Sequence, residues 1–550
     1  MNDIRRTILW VVFGFSLVML WDQWQIHNGN PPTFFPSAVK PADPAKPVSG
    51  GVDASTPAPS NVTALPQTTS SPPAVSRERH EVSTDLLKLT FDSEGGNLIG
   101  AELLKHTDAQ RSGSPVKLLD DSKERVYMAQ TGLIAAVGNQ GLPNHKTPMR
   151  LVAGSNLKDG EQETQVRFES PVVGDVKLVK TYTLRRGSYT LSVQHDIINT
   201  GTTAINPQVY VQLVRDGNKL EGESAFYSTF TGPAVYTSEK KFQKVEFSDI
   251  EKNNAEFEKQ SSQGYLAMVQ HYFASAWLLD DGQQREIFAR KIDQNLYAAG
   301  MVAPLPSVAP NSQLTQTARL FLGPQEEKTL EAVYPGLELV KDYGWLTILS
   351  KPLFWLLYEL NLLIGNWGWS IVALVVVLKA AFYWLNAQAY KSMGKMKAIN
   401  PKIMEMRERL KDNPQQMQTE MMKIYREEKV NPLGGCLPIA VQIPFFIALY
   451  WVLLASVEMR NAPWIGWVND LAVPDPWFIL PLLMTATSML QTWLNPTPPD
   501  PIQAKLMWFM PLAFSVMFFF FPAGLVLYWL SNNVLSIAQQ WMINRQLGVN

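Results

Sequence analysis

Apolar runs long enough, or nearly long enough, to cross a bilayer crowd this chain after about residue 350. They constrain the fold more than anything else in it. Inside lipid the backbone must satisfy its own N–H and C=O groups, so such runs have to be helices. Five are counted, at about 367–386, 437–457, 477–494, 506–521 and 522–543. Each approaches the ~20 residues that ~30 Å of hydrocarbon asks of a helix. The fourth is short, and Phe521-Pro522-Ala523-Gly524 must turn tightly into the fifth. Trp367, Trp384, Trp464, Trp477, Trp493 and Trp541 stand near run ends, as an interfacial aromatic belt requires. The stretch 350–365 is interrupted by Glu359 and Asn361 and reads as an amphipathic helix lying in the interface.

The rest of the chain is different material, and the average of 46% hydrophobic and 18% charged residues hides the contrast. Arg5 and Arg6 precede an apolar run ending at Trp21, and no small-x-small cleavage pattern follows. Residues 1–27 therefore read as an uncleaved signal anchor, with a cleaved signal peptide as the alternative. Residues 28–78 are rich in Pro, Ala, Ser and Thr and read as a disordered tether. From 79 to 345 the pattern alternates. Residues 85–91 read as a strand, and 176–184 and 189–193 as a hairpin around Arg185-Arg186-Gly187-Ser188. Many short strands over this length argue a large β-sandwich. The single cysteine, Cys436, excludes a disulfide-stapled module, and a net charge of −1 excludes binding to nucleic acid through bulk positive charge.

Lysine and arginine set the orientation. The segment between the first two runs carries ten of them from Lys391 to Lys429, which places it in the cytoplasm. Counting spans then puts both termini in the cytoplasm and the β region outside; Arg460, near an outer end, is the one dissenting charge. Within 387–432 the residues Met393, Met396, Ile399, Ile403, Met406 and Leu410 form one stripe. Met417, Met421, Ile424 and Tyr425 form a second. The two read as a helical hairpin burying both stripes, or as a mobile methionine-rich surface for varied partners.

Lys379 is the one ionisable residue inside the five runs. A charge at mid-membrane costs about 2.5–3.5 kcal/mol on insertion scales, so it needs polar company. Lys391 marks the cytoplasmic end twelve residues on, roughly 18 Å away along a straight helix, which puts Lys379 near mid-depth. Either it sits in a hydrated cavity open to the cytoplasm or it snorkels along a lipid-facing helix. Gln442, Asn532 and Asn533 could line the same cavity; otherwise they serve as interhelical hydrogen bonds. The spans hold no carboxylate or histidine, so they contain no acid dyad, zinc motif or Ser–His pair, and neither a metal nor a cofactor is expected.

The run Asn431-Pro432-Leu433-Gly434-Gly435-Cys436-Leu437-Pro438, continuing through Gln442-Ile443-Pro444-Phe445-Phe446, resembles the signature of the YidC/Oxa1/Alb3 membrane protein insertases. Phe521-Pro522-Ala523-Gly524-Leu525 through Trp529 resembles their last-span motif, and Asn366-Trp367-Gly368-Trp369-Ser370 their first core span. Anchor, tether and β region match the Gram-negative YidC layout. The resemblance implies a polytopic inner-membrane protein with a periplasmic all-β supersandwich and a five-helix core, 366–545, whose groove opens to cytoplasm and lipid. It implies no enzymatic chemistry. The partners it implies are nascent membrane proteins, the Sec translocon, ribosome–nascent-chain complexes and the lipid bilayer. Lys379 falls where bacterial members usually carry a groove arginine, and Gln442 on a groove glutamine. Phe446, Met484, Met517 and Trp529 fall on substrate-contact positions, the last two replacing aromatic residues of the family. The tail ends at Asn550 without a long basic extension, which weakens the case for a tail-mediated ribosome contact. Two rivals stand beside this reading. A small-solute transporter would need inverted repeats, and no convincing repeat is visible. An enzyme seated in the β region would need a site that no residue spacing marks.

Overall fold

The computed structural model describes residues 77–108, 113–136, 141–220, 229–410, 413–428, 437–495 and 501–546. The expected signal anchor, the tether, Cys436 and the last four residues lie outside these. The chain divides into two compact units, one ending at Lys341 and the other running from Asp342 onward.

The first unit is a pair of nine-stranded antiparallel sheets. One sheet runs in space from Arg79–Ser83 through Leu87–Asp92, Asn97–Thr107 and Pro115–Asp121 to Val126–Ala135. It then crosses to Pro207–Asp216, Leu296–Pro304, Arg285–Asp293 and the edge piece Gln260–Ser261. The other begins at Lys241–Lys244 and passes through Gly232–Thr237, Tyr265–Gln270, Phe273–Leu278 and Gln313–Pro324. It ends with Thr190–Asn199, Val176–Arg185, Glu163–Glu169 and Arg150–Gly154. Alternation sets the register. Along Glu163–Glu169 the buried residues are Thr164, Val166 and Phe168, every second position. The expected hairpin is present, with Val176↔Asn199 through Thr183↔Ser192 paired and Gly187 at φ 71 in its turn.

Tyr265–Gln270 and Phe273–Leu278 are buried at every position, so both their faces are covered. One face meets the sandwich interior. The short helix Glu327–Val333 and the turn Leu337–Val340 close the other, packing Leu330, Tyr334, Leu337 and Val340 against Tyr265, Ala267 and Phe321.

Polar side chains stitch the sheets across the interior. Fully buried Lys180 donates to the carbonyls of Gly95 (2.7 Å) and Thr131 (2.6 Å) on the facing sheet. Tyr182 reaches the Gly96 carbonyl at 2.7 Å, and Trp277 Nε1 reaches that of Gln212 at 3.1 Å. A buried ammonium without such acceptors would be untenable. Burial pushes the Lys180 amine down to about 7. His195, hydrogen-bonded to Thr131, is held down to about 3 by its own burial and then by the nearby Lys180 charge.

The second unit is helical: α1 Thr347–Ile364, α2 Trp367–Ala381, α3 Tyr383–Arg409, α4 Pro414–Glu427, α5 Leu437–Ala455, α6 Ile479–Leu494, α7 Pro501–Phe518 and α8 Ala523–Gln546. Leu353, Phe354 and Leu357 of α1, Ile371, Leu374 and Val375 of α2, Ala448 and Val452 of α5 and Leu525 to Tyr528 of α8 share one apolar core. The outward faces are apolar too. Ile348, Trp384, Leu482, Phe509 and Val516 are all exposed, which is what a lipid-facing surface requires and a water-facing one penalises. Among the described residues α1 is long and apolar enough to cross a membrane by itself, and α2 with α3 passes as a pair bent by 70°. The apolar stretches Val441–Ala455, Ile479–Leu494 and Ala504–Phe518 are shorter.

That bend corrects the sequence reading of one straight helix over 367–386. The helix stops at Ala381, and Phe382 caps it by donating to the Leu378 and Ala380 carbonyls. No proline or glycine marks the break, and those are the usual kink signals. The first helix of the 387–432 segment therefore starts at Tyr383, inside the run expected to span as far as 386. Further along, α3 and α4 face each other. They bury Ile399, Ile403 and Met406 against Met396, Leu410, Met417, Met421, Ile424 and Tyr425, with Lys402 and Glu428 paired at 2.6 Å on the flank.

Candidate functional site

Lys379 occupies the last turn of α2, one turn before the bend. A cation is stabilised there by the carbonyl-rich end of the helix dipole. The mid-depth estimate made from Lys391 fails, because α3 leaves at 70° and the axial distance no longer adds along one helix.

Around this lysine lies a small, half-open cavity. Val375, Leu378, Lys379 and Phe382 line it from α2 and its end, Gln442, Phe445 and Phe446 from α5, and Tyr528 and Asn532 from α8. Lys379 Nζ donates to Ser536 Oγ at 2.7 Å, and Ser536 in turn donates to the Asn532 carbonyl at 2.7 Å. Gln442 Nε2 donates to Asn386 Oδ1 of α3 at 2.6 Å. Asn386 is 5% exposed, and its own amide N–H group has no partner there. A cation and two amides are thus gathered among aromatic and aliphatic walls, with Asn386 behind Gln442.

The structure divides the eight residues singled out from sequence. Lys379, Gln442, Asn532 and Phe446 line one cavity. Asn533 does not; it turns the other way and donates to Ser488 Oγ of α6 at 2.8 Å. Met484 is buried in the apolar core, and Met517 and Trp529 pack against that core. Trp529 meets Phe518 edge-on at 4.3 Å and lies over Phe521 at 6.3 Å. Phe446 belongs to both settings, its ring 5.8 Å from Tyr528. Asn386 was missed because the sequence reading put it at the end of a span. Ser536 carried a signal, since it shares a helix face with Asn532 at i, i+4.

The opposite end of α2 is sealed. Asn366 caps the helix through Trp369 N at 3.1 Å and donates to the Pro463 and Trp464 carbonyls of the loop that follows α5. Farther along, this loop accepts from Gly524 N through Leu471 O (2.9 Å) and from Ala523 N through Val473 O (2.8 Å) at the start of α8. Asp475, 1% exposed, holds the loop's exit by accepting from Trp467 Nε1, Trp477 N and Leu480 N.

These features define a polytopic helical membrane protein joined to a large all-β domain, with a polar cavity in its bundle. A model of the YidC periplasmic domain matches residues 79–356, and one of the 60Kd inner membrane protein matches 359–549. Membrane protein insertase YidC of Cupriavidus taiwanensis is 52% identical over 99% of this chain and 98% of its own. That of Cupriavidus metallidurans is 53% identical over the same shares. A crystal structure of active YidC insertase with its first transmembrane domain resolved aligns at 20% identity over 84% of this chain and 92% of that one, with a TM-score of 0.38. The chain belongs to the YidC family of membrane protein insertases, with its β domain in the periplasm and its helical core in the inner membrane. It is an insertase rather than an enzyme.

Proposed function

We propose that this chain inserts and helps fold new membrane proteins through the Lys379 cavity, used as a hydrated, positively charged groove open to the cytoplasm and closed toward the periplasm. The observation that carries the reading is the convergence of Lys379, Gln442, Asn532 and Phe446 from three helices on one cavity. Drawing a polar flank across intact lipid strips water from its backbone and side chains. A cavity carrying polar groups shortens the dry path, Lys379 attracts acidic residues, and the apolar surface of α5 to α8 offers the incoming segment a slide into lipid. Phe446, at the junction of cavity and core, is where the two environments meet; Met484, Met517 and Trp529 would act on the apolar side. Both termini are in the cytoplasm in this reading, and the α3–α4 hairpin faces ribosome–nascent-chain complexes and the Sec translocon. The bonded loop over α2 and α8 favours an insertase over a solute transporter, because alternating access would have to break it.

Charge reversal tests the reading. Lys379→Glu is expected to cut insertion of a substrate with an acidic translocated tail about tenfold or more, and to spare the same substrate with a neutral tail. Equal insertion of the acidic substrate by both proteins would remove the charge from the mechanism.

A further inference from the structure

We infer that Ser536 is the positioning residue for Lys379: it pins the ammonium of α2 to α8 beside the cavity. The inference rests on the groove reading above and goes beyond it by naming what presents the charge.

Ser536 is 3% exposed. Its one hydroxyl proton goes to the Asn532 carbonyl, so toward Lys379 it can only accept. An ammonium has three donors and no acceptor, which makes an acceptor-only oxygen at 2.7 Å its matched partner. Alanine there would leave the ammonium without this acceptor.

The pin has a functional consequence. Lysine is a flexible point charge that tends to snorkel toward water, and each ordered lysine loses rotamer freedom. One N–H bonded to Ser536 holds the chain in place and leaves two for the cavity, where water or a substrate carboxylate can accept them. Ser536 thereby tunes how strongly the groove discriminates for acidic segments, without touching substrate itself. The neighbouring Asn532 side chain lines the cavity while its carbonyl anchors the serine, so α8 supplies both the wall and the pin.

The test uses the full-length protein in proteoliposomes, with one single-span substrate made in acidic-tail and neutral-tail versions. Ser536→Ala is expected to lower acidic-tail insertion about three- to tenfold with neutral-tail insertion unchanged, and Ser536→Thr to restore it. In a Lys379→Gln background Ser536→Ala should add nothing. Equal loss on both substrates, or an additive loss in that background, overturns the inference. If Lys379→Gln itself does not distinguish the two tails, the groove reading fails first. A second readout guards against a merely misfolded variant. Acylation of Lys379 by a small amine-reactive ester, followed by mass spectrometry, should be faster in Ser536→Ala; an unchanged rate shows that the serine does not hold the amine.

Discussion

Buried Lys180 and half-buried Lys379 are handled by one rule at two sites. Lys180 in the β domain and Lys379 in the helical core each reach uncharged oxygens, carbonyls in the first case and a hydroxyl in the second, with no carboxylate in between. A salt bridge would neutralise the charge, whereas a neutral acceptor leaves its field intact. Such a field suits a groove that must attract anions. Beside Lys180, His195 makes a stability prediction. Its imidazole is held down to about 3 in the folded chain against an ordinary value near 6.5. Between those two values the unfolded chain takes up a proton that the folded chain does not, so stability must fall as pH drops from 6.5 toward 3. Thermal unfolding of the full-length protein followed across that range should show the loss, and His195→Gln should flatten it. A wild-type profile that is level between pH 6.5 and 4 would contradict the account. Lys180 was legible in principle, since Leu178, Lys180, Tyr182 and Leu184 alternate onto one face of a strand. The carbonyls that receive it come from distant residues, and no local pattern announces those.

At the scale of elements, helix ends do the positioning. Three close approaches fix the outer end of the bundle: Asn366 on the Pro463–Trp464 carbonyls, Gly368 under the Trp464 ring, and Gly524 against Leu471. A Cβ at Gly368 would stand 2.3 Å from a Trp464 ring atom. Gly368→Ala should therefore cost about 1–3 kcal/mol of packing and loosen the loop, read as faster proteolysis between residues 460 and 475 with the β domain still intact. Unchanged protection would show that the ring moves aside freely. The stripes of α3 and α4 could be read from spacing, because each helix carries its own apolar period. The bend at Phe382 could not. It follows from packing around a run without proline or glycine, and it moved both the start of α3 and the depth assigned to Lys379. The same limit applies to Asn533. A polar residue in a span announces a need for a partner, and only the packed helices decide whether Ser488 or the cavity meets it.

At the scale of the whole molecule, two helices of the bundle are short. α2 and α6 have 15 and 16 residues, about 22–24 Å at ~1.5 Å per residue. That is less than the ~30 Å of an average hydrocarbon core, a mismatch that a bilayer meets by thinning locally. In the proposed mechanism a locally thinned bilayer and a cavity entered from one side would act in one direction: each would shorten the dry path that a translocated flank must travel. The division into β domain and membrane core was plain from hydropathy and alternation, and the family motifs pointed to insertion. Which residues share the cavity depended on helix rotation, and hydropathy does not record it. The central claim is that a nascent segment passes from the Lys379 cavity onto the apolar slide. Site-specific photo-crosslinking against ribosome-stalled nascent chains, with one probe at Phe446 and another at Met517, tests it most directly. The account predicts adducts at Phe446 as soon as the new span emerges, adducts at Met517 at longer chain lengths, and loss of both after release. No adduct at either position in correctly folded protein would contradict it.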